Sequence, residues 1–138
     1  MIVHAEWKHS EVFEGKTESG NTILIDADSA HIHGPGPLET VLIALCGCTS
    51  VDVVSILNKK RQPLTGLRVS ATAEQAKDPP RVFTKIKLTY AVSGKLSRKA
   101  VEDAVSLSKN KYCSVSKMLE KSAPIGYEIV FVDGEPEP

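Results

Sequence analysis

The sequence predicts an α+β domain, and three observations carry that assignment. Short stretches with strand-like alternation occur before and after the middle of the chain, most clearly at residues 67–74 and 82–92. One long apolar segment, residues 38–57, has helical and not alternating spacing. A second, amphipathic helical pattern opens at Ser97. Strands and helices therefore come in runs and not in strict βαβ alternation. With 138 residues, the chain is expected to form one domain, residues 1–138, around one core.

Taken in order, residues 2–8 and 11–16 predict two short strands joined at His9-Ser10. Glu18-Ser19-Gly20-Asn21 is a turn signal, and Thr22-Ile23-Leu24-Ile25-Asp26 is a third strand rich in β-branched residues. His33-Gly34-Pro35-Gly36-Pro37 breaks both helix and sheet ladders. It also opens a helix, since Pro37 suits a first helical position and Glu39 complements the positive end of the helix dipole. From Pro37 to about Lys60, Leu38, Val41, Leu42, Leu45, Cys48, Val51, Val54, Ile56 and Leu57 follow helical spacing. Ile43, Ala44 and Val53 fill other faces, which predicts a helix buried on most sides.

Residues 67–74 alternate apolar and polar. In 82–92, Val82, Thr84, Ile86, Leu88, Tyr90 and Val92 are expected on one face, with Lys85, Lys87 and Thr89 on the other. Asp78-Pro79-Pro80 makes these two an antiparallel hairpin. Ser97 caps a helix reaching about Lys109, with Ala100, Val101, Ala104, Val105 and Leu107/Ser108 inward. Asn110-Lys111-Tyr112 interrupts it, a short helix follows over 113–121, and a last strand over 126–132 precedes an acidic tail at 135–138.

Lysine plus arginine and aspartate plus glutamate number 17 each, so the net charge is zero and no basic stripe marks a nucleic-acid surface. The apolar segment 38–57 approaches a bilayer-spanning length, but Glu39 and Asp52 make a membrane span expensive and favour a helix of a soluble protein. Met1-Ile2-Val3-His4 has neither the basic nor the apolar region of a signal peptide. With three cysteines, a reducing, cytoplasmic setting is expected.

Those cysteines are the candidate chemistry. Cys46 and Cys48 point about 200° apart on a helix, so they can neither pair nor face one pocket. Cys48, flanked by Gly47, Thr49, Ser50 and Asp52, is the one expected to face a site, and Cys46 is expected in the core. Cys113 stands where a helix should start, after Lys109 and Lys111, an environment expected to lower a thiol pKa. His31-x-His33 would share a strand face and could join Cys48 around zinc, but a loop-edge pair without a ligand role is the favoured reading, and no metal is expected.

Gly34-Pro35-Gly36-Pro37-Leu38-Glu39 opening a helix that holds Gly47-Cys48-Thr49, followed downstream by Lys111-Tyr112-Cys113-Ser114-Val115-Ser116, resembles the OsmC/Ohr family. The resemblance covers nearly the whole chain. It implies an intertwined homodimer in which a strongly curved antiparallel sheet wraps central helices, with active sites at the interface. It also implies reduction of organic hydroperoxides, with Cys48 as peroxidatic thiol, Cys113 as resolving thiol, a dithiol reductant and no cofactor. Glu39 corresponds to the family's site carboxylate displaced by one residue, Leu38 standing in its place. The family's activating arginine has no counterpart, because the first arginine is Arg61. Asp52, one turn beyond Cys48, is a like charge for a thiolate. The alternative is a non-enzymatic dimer that binds a small apolar or electrophilic molecule, or senses redox state.

Overall fold

In the computed structural model, which describes residues 1–136, the elements are β1 (Val3–His9), β2 (Val12–Thr17), β3 (Thr22–Asp26), α1 (Pro37–Lys59), β4 (Gly66–Gln75) and β5 (Phe83–Ser93). Then come α2 (Arg98–Leu107), a π-helical turn (Ser108–Tyr112), α3 (Ser114–Leu119) and β6 (Ile125–Phe131). The end of the expected acidic tail lies outside the described residues. Internal contacts divide the chain into residues 1–43 and the remainder from Ala44 onward.

In the first unit, β1, β2 and β3 form an antiparallel meander. Ser10, with φ 48°, takes the left-handed conformation that a tight hairpin needs. Asp26 at the end of β3 is buried and organises the loop that follows. Its carboxylate accepts the backbone N–H of Asp28 at 2.9 Å and that of His33 at 3.2 Å. Gly34 is required by close approach, since a Cβ there would stand 2.5 Å from the Leu24 carbonyl oxygen. The loop then enters α1, whose first residue is Pro37 as expected.

In the second unit α1 buries one stripe, Leu45, Thr49, Val53 and Leu57, spaced by four residues. The expectation of a helix buried on most sides is corrected here. Val51 remains 69% exposed and Val54 36% exposed, because one chain supplies packing partners to one face only. By length and composition α1 qualifies as a membrane-crossing helix. The polar side chains Thr49 and Asp52, however, are hydrogen-bonded to groups from β5 and the π-helical turn.

Strands β4 and β5 form the predicted antiparallel hairpin, and β4 alternates half-buried Leu67, Val69, Ala71 and Ala73 with exposed Arg68, Ser70, Thr72 and Glu74. The inward face of β5 is Phe83, Ile86, Leu88, Tyr90 and Val92. Val82 and Thr84, expected inward, are exposed. A bulge explains the change: Glu74 pairs with Lys85 and Gln75 with Phe83, so Thr84 is the extra residue and alternation skips a step.

The sheets also depart from the uniformly antiparallel expectation. There are two three-stranded sheets, and in the second β6 lies parallel to β5, Ile86 opposite Ile125 through Val92 opposite Phe131. The connection through α2 and α3 returns the chain to the same end of the sheet, which parallel pairing requires. Ser97 caps α2 by accepting the Ala100 N–H at 3.3 Å, and Ala100, Val101, Ala104 and Val105 are buried. Leu107, expected inward with Ser108, is 39% exposed, because the π-helical turn that starts at Ser108 rotates that residue inward instead.

Candidate functional site

The site is built where α1, β5 and the π-helical turn meet. The buried face of α1 carries Thr49, a hydroxyl in an otherwise apolar stripe. Its Oγ1 lies 2.7 Å from the Tyr90 hydroxyl and 2.8 Å from Ser108 Oγ. Ser108 Oγ in turn donates to Asp52 Oδ2 at 2.8 Å. An ionised carboxylate only accepts, and each hydroxyl has one proton to give. Ser108 spends its proton on Asp52, so Thr49 must donate to Ser108, and Tyr90 must donate to Thr49. The polarity of the whole chain, Tyr90 to Thr49 to Ser108 to Asp52, is thereby fixed. Tyr90, Thr49 and Ser108 are all buried, and burial pushes the Tyr90 phenol up to about 12.

Cys48 precedes Thr49 and is half-buried, whereas Cys113 has no exposed surface. The two side chains are neighbours, close enough for the Cys48 thiol to act on the titration of Cys113. Burial is the main influence and holds the Cys113 thiol above its usual range. The Ser116 N–H donating to Sγ at 3.4 Å pulls it partly back, and Cys48 pushes it up again. The expected lowering by a helix start and flanking lysines is therefore corrected. Helix α3 is short, running only Ser114–Leu119, Lys111 is turned over the Tyr112 ring at 5.2 Å, and desolvation outweighs what remains. Cys46, expected in the core, is half-buried like Cys48, and its thiol is also raised by burial.

The turn that carries Cys113 is held at several points. The Cys113 N–H donates to the Ser108 carbonyl at 2.8 Å, which closes the π-helical turn. Ser116 Oγ shares its one proton between the carbonyls of Lys109 and Cys113, at 3.3 and 3.1 Å. The interruption expected at Asn110-Lys111-Tyr112 is thus a widened turn that brings Ser108 inward and aims Cys113 back toward α1.

Glu39 has a different setting. Its Oε1 accepts the Gly36 N–H at 2.9 Å and stands 3.6 Å from His31 Nε2, which is the reciprocal half of a capping box at the start of α1. His31 Nδ1 donates to the Asp26 carbonyl at 2.7 Å, and His33 Nδ1 lies 3.2 Å from Asp26 Oδ2. The Asp28 amide, followed by His33, holds the Asp26 carboxyl below its usual range. The two histidines are organised around Asp26, and among the described residues no three His, Cys, Asp or Glu side chains gather so as to hold a metal ion.

Helical spacing set Asp52 beside Cys48, and only the family resemblance paired Cys48 with Cys113; Tyr90 and the role of Ser108 were missed. The available signal was a hydroxyl at each position on an inward face, since a buried phenol or hydroxyl needs a partner.

With that geometry in place, comparison with known proteins is decisive for the family. The OsmC-like protein family matches residues 28–128. The chain belongs to the OsmC-like family. Protein YhfA of Escherichia coli strain K12 is 44% identical over 133 residues, covering 94% of this chain and 98% of that one, which places the chain on the YhfA-like branch. The solved OsmC-like protein of Mycoplasma pneumoniae is 16% identical and superposes with a TM-score of 0.83 over 95% of this chain and 96% of that one. The organic hydroperoxide resistance protein OhrB of Bacillus subtilis is 17% identical, with a TM-score of 0.63 over 93% of this chain and 96% of that one. These two likenesses establish the α+β OsmC-like fold.

Proposed function

We propose that Cys48 and Cys113 form a thiol pair that reduces organic hydroperoxides. The observation that carries this reading is the meeting of two thiols from distant parts of the sequence, one accessible and one sealed. The Cys48 thiolate attacks the distal oxygen of ROOH. The O–O bond breaks, the alkoxide takes a proton to leave as ROH, and Cys48 becomes a sulfenic acid. The Cys113 sulfur then attacks the Cys48 sulfur, the S–O bond breaks, water leaves and a disulfide forms. An external dithiol restores both thiols. The peroxide-resistance role in the name of the Bacillus relative supports the chemistry by analogy of fold. A homodimer belongs to this reading, supported by the exposed apolar face of α1, including Val51 and Val54. The chain would work in a reducing, cytoplasmic setting.

The test is consumption of an alkyl hydroperoxide with dithiothreitol as reductant. The wild type should exceed free dithiol, and Cys48→Ser should abolish the excess. A wild type no faster than free dithiol would overturn the proposal.

A second reading, a dimeric binding or redox-sensing protein, is favoured by one specific feature. No arginine precedes Arg61 to activate Cys48, and burial keeps Cys113 protonated. Its binding form predicts unchanged thiol content after peroxide and a small molecule that copurifies, and its redox-sensing form predicts thiol oxidation without catalytic turnover of the peroxide. Catalytic consumption of hydroperoxide above the free-dithiol rate would count against both forms.

A further inference from the structure

The hydroxyl chain ends on a carboxylate that neither thiol reading uses, and it begins to make sense when traced toward Cys113. Ser108 bonds in two directions. Its side chain donates to Asp52 on α1, and its backbone carbonyl accepts the Cys113 N–H, both at 2.8 Å. Asp52 follows Cys48 by four residues, so the anchor and the thiol partner stand on the same face of one helix. The position of Cys113 relative to Cys48 is therefore fixed through two hydrogen bonds and one turn of α1. A π-helical turn wastes a residue per turn relative to an α-helix and persists where something holds it. Here the hold is Ser108, pinned from one side by Asp52 and from the other by Thr49.

We propose that Asp52 and Ser108 are positioning residues for the thiol pair: the bond between them clamps the π-helical turn to α1 and keeps Cys113 sealed beside Cys48. The polarity of the hydroxyl chain strengthens the clamp. Were Asp52 unable to accept, the proton of Ser108 would have no outlet except Thr49, and the donors of Thr49 and Tyr90 would be displaced in turn. One substitution at Asp52 thus disturbs three buried hydroxyls.

The experiment measures alkylation of Cys113 by N-ethylmaleimide, read by peptide mass, with the half-exposed Cys46 as internal reference. In the wild type Cys113 reacts only when the turn opens. Asp52→Ala and Ser108→Ala should accelerate Cys113 roughly ten- to hundredfold relative to Cys46, the range set by losing a hydrogen bond to a charged group. Asp52→Asn keeps an acceptor oxygen and should stay within about threefold of wild type. Val105→Ala, a core truncation in α2 outside the clamp, controls for general loosening. Wild-type rates in both alanine variants would overturn the proposal. So would Asp52→Asn reacting as fast as Asp52→Ala, or Val105→Ala accelerating Cys113 as much at equal loss of stability. If one alanine variant fails to fold, the other carries the comparison. Alkylation needs no peroxide, so a protein inert toward hydroperoxides would defeat the activity proposed above and leave this result standing.

Discussion

Replacing Thr49 by valine should destabilise the fold more than replacing Tyr90 by phenylalanine, and the reason lies in which proton goes where. Valine keeps the shape of threonine and puts a methyl group, which neither donates nor accepts, where the hydroxyl stood. Thr49 is the acceptor for the Tyr90 proton and the donor to Ser108. Without it, the Tyr90 O–H is a buried donor with no acceptor, at a cost of about 1–3 kcal/mol, and the lost bond to Ser108 adds about 1 kcal/mol. Thr49→Val is therefore expected to cost about 2–4 kcal/mol. Tyr90→Phe removes the first donor in the line and leaves Thr49 still bonded to Ser108, so about 1 kcal/mol is expected. The double variant has no orphaned phenol and should recover at least about 1 kcal/mol relative to the sum of the single changes. Urea unfolding checks all three, with the slope expected to be unchanged and the midpoints ordered as stated. A strictly additive cycle, or Tyr90→Phe costing as much as Thr49→Val, would refute the assigned polarity.

Three further outcomes follow from particular contacts. Tyr90, raised to about 12 by burial, keeps its proton in the folded state while the unfolded phenol loses it near pH 10, so stability should fall as pH rises from about 10 to 12; in Tyr90→Phe this part of the decline should vanish from pH-dependent unfolding curves. Gly94 has φ 121° and a Cβ there would stand 2.2 Å from the Pro63 carbonyl oxygen, so Gly94→Ala should lower the urea midpoint by an amount equivalent to more than about 1 kcal/mol. Val53→Ala on the buried stripe should cost about 1–3 kcal/mol in unfolding experiments, whereas the homodimer proposed above requires that Val51→Asp on the exposed face shift the protein toward monomer by size-exclusion chromatography with the chain still folded.

The order of elements was legible because it depends on local chemistry. Pro37 and Glu39 mark the start of α1, Ser97 marks the start of α2, and alternation marks β4. The candidate thiols were legible too, through helical spacing and the family motif around Cys48 and Cys113. What local chemistry misjudged were environments. Cys113 sits at a helix start beside lysines, a pattern that lowers thiol pKa, yet it is sealed by packing from elements far away in the chain, and desolvation reverses the sign. The face of β5 was misassigned at Val82 and Thr84 for a comparable reason, since the bulge is a property of pairing with β4 and not of either strand alone.

The sequence by itself determined that strands and helices would form, where they would begin, and which cysteines were separated by half a turn of helix. Those are consequences of backbone periodicity and of residues that start or stop it. The parallel pairing of β6 with β5, the hydroxyl chain from Tyr90 to Asp52, and the meeting of Cys48 with Cys113 were decided only by the tertiary structure. Each joins residues 39 or more positions apart, and a hydrogen bond or a buried thiol takes its energy from a partner that no local pattern names.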